Sequence, residues 1–275
     1  LFLLLLVVVV CSCLLPGGAA GIEFLFKPDF SKVTGSVFLA AMGQAFYSLG
    51  LSMGCICTFA SYFSRETNLL KSAVNIAVID TIIAILAGLM IFPAAFSVGV
   101  SPDSGPSLIF ITLPNVFQQA FAGVPLLGTV VAVMFYMLLS LAAITSLISL
   151  HEVSTAFLCE ETRLDRKNAA RLVTVVCSVI GAFCSLSLGD RAWLSMFGKT
   201  LFDWFDFVTG QLLLPFGGIL TCIFMGWVVP RKLIKDEFTN WGTLRGTFFG
   251  VYMILVRYVC PVCIVAIFLN QLGVL

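Results

Sequence analysis

Long apolar runs dominate this sequence, and their length predicts membrane-spanning helices. About 20 apolar residues are enough to cross a bilayer, and seven runs reach or approach that length. They lie at 1–15, 39–62, 72–98, 126–150, 172–188, 204–229 and 247–269. Of the residues, 60% are hydrophobic and 11% are charged, a balance that soluble domains do not show. We therefore predict an all-α membrane protein in which 1–275 form one transmembrane domain.

The second run, LAAMGQAFYSLGLSMGCICTFASY, has an unusual centre, because Ser48, Gly50, Ser52 and Gly54 alternate through it. Glycine and serine lower helix propensity, so we expect an unwound turn there. Unwound backbone at membrane depth is tolerated only where it lines a cavity, because lipid cannot satisfy its polar groups. One interpretation is a buried polar site between two half-helices. The other is a small-residue packing face on a continuous helix.

Basic residues are divided unequally between alternate loops, and this predicts the orientation of the spans. One set of loops holds ten: Arg65, Lys71, Arg163, Arg166, Lys167, Arg171, Arg231, Lys232, Lys235 and Arg245. The other set holds four: Lys27, Lys32, Arg191 and Lys199. By the positive-inside rule the first set is cytoplasmic, so the second run passes from outside to inside.

The segments between the runs are short or rich in turn-forming residues. Pro16 and the glycines after it end the first run, and we expect 21–32 to form an ordered surface loop with Pro28 and Asp29 as turn formers. The segment 100–125 is too apolar for a free linker and predicts short packed helices. The chain opens abruptly on LFLLLLVVVV without methionine. We therefore expect a fragment whose first span is truncated.

Two groups inside the spans could bind ions. Asp80 lies near the middle of the third run, where a carboxylate costs about 2.5–3.5 kcal/mol on insertion scales. It is expected to face an ion, a cation or a proton path, or else to be satisfied by neighbouring helices. Thr145 and Ser146 are adjacent hydroxyls in the fourth run. Hard cations favour such oxygen ligands, although Ser and Thr also bond back to the preceding helical turn.

The remaining polar residues allow structural roles. Asp203 and Asp206 share a helix face and form either a helix start or an outward gate that needs a basic partner. Arg257 must find a buried partner or snorkel to the interface, and we assign it a structural role. We favour interfacial structural roles for His151 and Glu152.

No catalytic grouping emerges from the sequence. The chain has no P-loop, no Ser/His/Asp arrangement and no zinc-ligand spacing. Cys260 and Cys263 have the spacing of a redox motif but lie inside a span, where cysteine behaves as a small hydrophobe. A membrane enzyme would need His151, Glu152 and these cysteines to converge, and they lie at different depths.

Six motifs occur in one order along the chain: MGQAFYSLGLSMG, FASY, DTIIAILAGLMIFPA, GPSLIFITLP, AAITSLISLHE and FDWFDFVTG. On these motifs the chain resembles the neurotransmitter:sodium symporter family, and in particular a prokaryotic-type member. The resemblance implies the inverted-repeat fold of the leucine transporter (LeuT), with this chain covering helices five to eleven and the N-terminal helices missing. It also implies a multi-pass protein of the prokaryotic inner membrane. Its oligomeric state stays open.

The function that the resemblance implies is sodium-coupled import of a small neutral amino acid by alternating access. Sodium would be the coupling ion, with no further cofactor and no enzymatic activity. A receptor or channel-like protein with the same fold is the alternative.

The same resemblance assigns the site residues. The substrate would contact Tyr47, Ser48, Gly50, Met53, Ser146 and Leu150, with Tyr47 as the lid. The first sodium site would use Ser48 and Asp80, with Gln44 nearby, and the second would use Ala142, Thr145 and Ser146. Asp206 would be the outer-gate acid, with its arginine partner on the missing first helix.

The chain departs from the family pattern at three points. Gly50 and Ser52 exchange the serine and glycine of the family's SLSxGxG motif, and Tyr47 replaces a lid that is commonly phenylalanine. Ala84 stands where animal members have a serine that binds chloride. With Asp80 supplying a fixed negative charge nearby, we expect transport that does not need chloride.

Overall fold

A computed structural model of the protein describes residues 2–27, 29–64, 66–97, 99, 117–118, 121, 123–187, 195–196 and 199–273. The helices, in chain order, are α1 (Phe2–Cys13), α2 (Gly18–Phe26), α3 (Gly35–Ser48), α4 (Cys55–Ser61), α5 (Leu69–Ser97), α6 (Pro125–Glu161), α7 (Arg166–Ser187), α8 (Leu201–Val228), α9 (Arg231–Phe238) and α10 (Phe249–Gln271). Two antiparallel strands of two residues each, β1 (Ser195–Met196) and β2 (Lys199–Thr200), precede α8. Pro28, Arg65, Arg191 and the motif GPSLIFITLP lie outside the described residues.

Five helices are long and apolar enough to cross a membrane: α5, α6, α7, α8 and α10. The bent pair α1 and α2 meets the same test as one broken span. Most of the apolar side chains on these helices are exposed in this chain, a pattern typical of helices that face lipid or further protein. The all-α membrane fold predicted from the sequence is confirmed. Helix α6 runs past the fourth apolar run to Glu161.

The loop predicted at 21–32 is wrong for its first half, which forms helix α2. The chain turns by 112° between α1 and α2, at Gly17, whose φ of 86° is in the left-handed region that favours glycine. An ideal Cβ on Gly21 would lie 2.5 Å from the backbone C of Phe92 and N of Pro93. Helix α2 therefore packs directly on the backbone of α5, a tertiary contact that sequence periodicity does not show.

The second half of that loop agrees with the prediction. Asp29 caps a single 3₁₀ turn, Phe30–Lys32, by accepting a hydrogen bond of 3.1 Å from the backbone N–H of Ser31. Hydrogen bonds from the Ser31 hydroxyl and backbone lower the pKa of the Asp29 carboxyl, which stabilises its charged form.

The close contact of α2 predicts a large effect of one methyl group. We expect Gly21→Ala to destabilise the full-length protein by about 1–3 kcal/mol, because the added Cβ meets backbone atoms that cannot move independently. Thermal unfolding in detergent measures this. Gly181→Ala is the matched control, because Gly181 lies in helix α7 with nothing within 4 Å of an added Cβ. Equal unfolding temperatures for the two variants would contradict the packing of α2.

Contacts divide the chain into two compact units, the first formed by Leu1–Val33 and Ala77–Leu147. Its core is apolar and includes Val8, Ala94 and Phe135, each at most 2% exposed. The hydroxyl of Ser12, itself buried, donates a 2.5 Å hydrogen bond to the backbone carbonyl of Met90. This bond satisfies a polar group between α1 and α5 that burial would otherwise penalise.

The second unit consists of Thr34–Ile76 and Ile148–Leu275. Here α10 packs against both α3 and α8, with Phe46, Ile264 and Ile267 at the centre. A smaller cluster joins Ile234 of α9 to Phe249 and Met253 of α10. These contacts place α3 beside α10, which also packs on α8, the helix that carries Asp206.

Two π-helical segments lie side by side in this unit, Phe224–Val228 in α8 and Leu255–Val259 in α10. The Nε of Arg257 donates a 2.5 Å hydrogen bond to the backbone carbonyl of Gly226. An ideal Cβ on Gly226 would lie 3.0 Å from Cγ of Arg257, so glycine permits this approach. The structural role predicted for Arg257 thus has a specific partner, a main-chain oxygen.

Candidate functional site

The second apolar run is a broken helix. Helix α3 ends at Ser48 and α4 begins at Cys55, and three of the intervening residues have left-handed backbone: Gly50 (φ 61°), Ser52 (φ 72°) and Gly54 (φ 81°). Alternating left-handed residues cannot continue a right-handed helix. The unwound interpretation of the sequence is therefore confirmed, and the continuous packing helix is wrong.

Short-range hydrogen bonds shape this unwound segment, Leu49–Gly54. The backbone N–H of Gly50 donates to the Tyr47 carbonyl at 3.0 Å, and that of Met53 donates to the Gly50 carbonyl at 3.3 Å. Gly54 approaches α6 closely, since an ideal Cβ there would lie 3.1 Å from Cγ1 of Val153. The alternation of small residues seen in the sequence thus serves both the backbone conformation and close packing.

An open cavity of about 450 Å³ lies beside α3, between α8 and α10. Tyr47 and Asp206, the predicted lid and gate residues, both line it. An ideal Cβ on Gly210, which sits between them, would lie 3.8 Å from Cε2 of Tyr47 and 3.8 Å from Oδ1 of Asp206. The structure therefore brings these two predicted residues together across one glycine. Gln44, also singled out in the sequence, lines the same cavity.

Three amide side chains in this cavity were missed by the sequence analysis: Gln211, Asn270 and Gln271. Oε1 of Gln271 is buried without a hydrogen-bond partner in the part of the chain that the structure describes. A second cavity of about 460 Å³ shares Gln211, Gln271 and Asp206 with the first and adds Asp203. The two adjacent amides that follow the last apolar run were the available sequence signal.

Asp203 has the role of a helix start. Its carboxylate accepts hydrogen bonds from the backbone N–H (3.0 Å) and hydroxyl (2.8 Å) of Thr200. In return, the Thr200 hydroxyl oxygen accepts a hydrogen bond from the backbone N–H of Asp203. This capping box satisfies donors at the beginning of α8. Asp206, one turn later and exposed, lines both cavities, whereas Asp203 lines only the second.

The residues predicted for the second sodium site lie on α6. The hydroxyl of Thr145 donates a 2.8 Å hydrogen bond to the carbonyl of Ala142, and Ser146 is the next residue. This is the back-bond to the preceding turn that the sequence left open. It also places a carbonyl and a hydroxyl oxygen close enough for one hard cation to contact both. Leu150 lies four residues after Ser146, on the same helix face.

The residues predicted for the first sodium site lie on two helices. Ser48 is the last residue of α3, and Asp80 is half-buried near the middle of α5. Helix α3 ends with its carbonyl groups directed towards the break, and the partial negative charge of a helix C-terminus favours a cation. Met53, like Gly50, lies in the unwound segment and is partly buried.

A separate polar network ties α4 to α6 and α7. The Glu152 carboxylate accepts a 2.8 Å hydrogen bond from the Tyr62 hydroxyl and forms a 2.6 Å ion pair with Arg166. The His151 ring contacts the hydroxyls of Thr174 at 2.9 Å and Thr155 at 3.2 Å. These contacts are those of a structural network, as the sequence favoured. Within the described residues, no group of three or more His, Cys, Asp or Glu could hold a metal ion.

Comparison with known proteins decides the family. The sequence pattern of the sodium:neurotransmitter symporter family matches residues 1–275. The chain belongs to this symporter family. This confirms the resemblance seen in the six motifs, and it excludes the enzyme alternative, because members of the family are transporters. Sodium is the coupling ion of the family.

The relatives of this chain include proteins of bacteria and of animals. The chain is 37% identical over 274 residues to an uncharacterized sodium-dependent transporter of Haemophilus influenzae, covering 99% of the chain and 58% of that protein. It is 35% identical to another uncharacterized sodium-dependent transporter, of Bacillus subtilis, over 100% of the chain and 60% of that protein. The sodium- and chloride-dependent creatine transporter 1 of Oryctolagus cuniculus is 29% identical over 257 residues, which are 86% of the chain and 38% of that protein. The chain thus spans about three-fifths of the bacterial relatives.

A solved structure shares the fold. The crystal structure of MhsT in complex with L-phenylalanine matches with a TM-score of 0.82 at 36% sequence identity. The match covers 98% of this chain and 60% of MhsT. Together with the apolar helices, this establishes a multi-pass membrane protein of the LeuT fold.

Proposed function

We propose that the full-length protein imports a small neutral amino acid, driven by the sodium gradient, by alternating access across the prokaryotic inner membrane. The observation that carries this proposal is the unwound segment between α3 and α4, flanked by the cavity of Tyr47 and Asp206. Broken helices in transporters place backbone polar groups at membrane depth, where substrates and coupling ions bind. Family membership supports the sodium coupling.

We assign the sodium ions to two sites. In the first, the hydroxyl of Ser48 and the carboxylate of Asp80 are the ligands from this chain. In the second, the carbonyl of Ala142 and the hydroxyls of Thr145 and Ser146 are the ligands. Oxygen donors of these kinds are what a hard monovalent cation requires, by the same logic as for Ca²⁺ and Mg²⁺.

The proposed substrate pocket is apolar with few hydroxyls. Its walls would be Tyr47, Ser48, Gly50, Met53, Ser146 and Leu150. Beside the unwound segment there is room for a side chain, because the nearest atom to an ideal Cβ on Gly50 is Sδ of Met53 at 3.8 Å. An ionised substrate side chain would be desolvated there without a partner, at a cost of several kcal/mol. MhsT, solved with phenylalanine, supports a neutral substrate.

Tyr47 and Asp206 would close the pocket from outside. Tyr47 would cover the bound amino acid, and Asp206 would pair with an arginine on a segment outside this chain. Their closeness to the same glycine, Gly210, supports the assignment of lid and gate to one cavity.

A competition panel tests the substrate class. We expect uptake by the full-length protein in proteoliposomes to require an inward sodium gradient and to be inhibited best by neutral apolar amino acids. Tyr47→Phe retains the aromatic ring and is expected to retain uptake. Tyr47→Ala removes the lid and is expected to weaken substrate binding at least about tenfold, or 1.4 kcal/mol.

Two outcomes would contradict the proposal. If glutamate or lysine competes best, the assignment of the pocket is wrong. If the protein binds an amino acid but does not accumulate it against a gradient, the receptor or channel-like alternative is correct instead.

A further inference from the structure

Ser52 is the one residue of the unwound segment that combines a left-handed backbone with a side chain. An L side chain rarely adopts a φ of 72°, and such a conformation persists only where the surroundings hold it. Gly50 and Gly54, the other left-handed residues of the segment, meet this demand without cost because they have no Cβ. Something outside the segment must therefore hold Ser52.

Two consecutive glycines of α8 lie against Ser52. An ideal Cβ on Gly218 would lie 2.6 Å from Oγ of Ser52, closer than real Cβ contacts allow. An ideal Cβ on Gly217 would lie 3.8 Å from Cβ and 3.9 Å from the carbonyl oxygen of Ser52, which is ordinary contact. The side chain of Ser52 thus occupies the space left open at buried Gly218, and it packs on α8.

Helix α8 also carries Asp206, twelve residues before Gly218 in the chain. Between them lies the π-helical segment Phe207–Leu213, and π-turns are frequent at functional sites. One helix therefore contacts the cavity at Asp206 and the unwound segment at Gly218. A displacement of α8 is transmitted to the segment wherever the two are firmly packed.

We propose that Ser52 is a positioning residue, whose side chain anchors the unwound segment to Gly218 of α8 and so sets the position of Ser48 and Met53. The inference rests on the proposed function, in which those two residues contact sodium and substrate. It adds that the gate helix and the binding segment move as one, through a serine–glycine contact.

Four variants of the full-length protein test the anchor: Gly218→Ala, Ser52→Gly, the double variant, and Gly217→Ala as the matched control. For Gly218→Ala we expect the half-saturating sodium and substrate concentrations to rise about tenfold, because a misplaced binding segment weakens every contact it makes. Gly217→Ala is expected to stay within about twofold, since its methyl fits. Maximal uptake rates per folded protein are expected to change less.

The double variant separates the anchor from general crowding. Removing the Ser52 side chain frees the space for the new methyl, so we expect the tenfold rise to fall to about threefold. The remainder is the rise that loss of the Ser52 side chain causes by itself. The other neighbours of the new methyl, Cζ of Phe46 at 3.1 Å and Cδ1 of Ile264 at 3.3 Å, are ends of flexible side chains that can yield to it. Ser52→Gly alone is expected to raise half-saturation about threefold without lowering the unfolding temperature, because relief of the left-handed strain offsets the lost contact. A purely structural role would not separate binding from stability in this way.

The proposal is overturned if Gly218→Ala behaves like Gly217→Ala, or if Ser52→Gly does not improve the Gly218→Ala variant. Unfolding temperatures of the same four proteins report the contact independently of transport. If the parent protein shows no sodium-dependent uptake, the proposed function fails, while rescue of the unfolding temperature in the double variant still shows that the contact exists.

Discussion

The Thr145→Val and Ser146→Ala variants of the full-length protein are expected to need at least about tenfold more sodium for half-maximal substrate binding, equivalent to 1.4 kcal/mol each. Both substitutions remove one oxygen and leave the shape of the helix face almost unchanged. Valine in particular has the branched outline of threonine. A loss of sodium affinity would therefore reflect the missing ligand and not a rearranged helix.

The geometry of α6 explains why this effect is expected to be large. The Thr145 hydroxyl and the Ala142 carbonyl lie 2.8 Å apart, so their oxygens can face one ion without movement of the backbone. In the absence of the ion, the hydroxyl proton satisfies the carbonyl. When sodium binds, the hydroxyl would turn its lone pair towards the ion, and both oxygens would become ligands.

Ser140→Ala is the matched control for this experiment. Ser140 is exposed on the same helix, at another position along its length, and the variant is expected to leave sodium dependence unchanged. Sodium titrations of radiolabelled substrate binding in detergent give the half-saturating concentration directly. If both Thr145→Val and Ser146→Ala bind sodium as the parent does, the second sodium site is not on α6.

The sequence indicated the broken span, because its signal is local, but it left a continuous packing helix open. Alternating small residues between Ser48 and Gly54 lower helix propensity within one stretch of chain, and the structure places three left-handed residues there. The bend between α1 and α2 was not predictable in the same way. It depends on Gly21 approaching the backbone at Phe92 and Pro93, about seventy residues away in sequence, and periodicity identifies a helix face but not its partner.

At the candidate site, too, the sequence indicated individual residues but not their tertiary contacts. Motifs identified Tyr47 and Asp206 individually, whereas their meeting across Gly210 is a tertiary fact. Glu152 was considered alone, but it binds Tyr62 and Arg166 from other helices. The partner of Arg257 was unpredictable in principle, because it is a main-chain carbonyl at a π-helical segment. Side-chain patterns carry no signal for such an acceptor.

Uptake by the full-length protein is expected to be the same in sodium chloride and in sodium gluconate. A relative in animals is named a sodium- and chloride-dependent creatine transporter, and the family resemblance implies that a bound chloride balances the sodium charge in animal members. Here Asp80 brings a fixed negative charge to the first sodium site that we propose. A second anion at about 4 Å would be repelled by about 4 kcal/mol at an effective dielectric constant of 20.

The Asp80→Asn, Ala84→Ser double variant is expected to create chloride dependence. Residues 80 and 84 are one turn apart on the same face of α5, so a serine hydroxyl at 84 would face the place where the carboxylate charge was removed. Chloride could then supply the missing charge, and uptake in gluconate is expected to fall at least about tenfold below that in chloride.

The two single variants identify which residue provides the charge. Asp80→Asn alone removes the counter-charge without building a chloride site, so uptake is expected to fall in both salts. Ala84→Ser alone keeps the carboxylate and is expected to transport like the parent in both. If instead the parent loses most of its uptake in gluconate, a mobile anion already balances the sodium charge and Asp80 does not. Chloride dependence in the double variant but not in the parent would show that a carboxylate and a bound anion are interchangeable at this position.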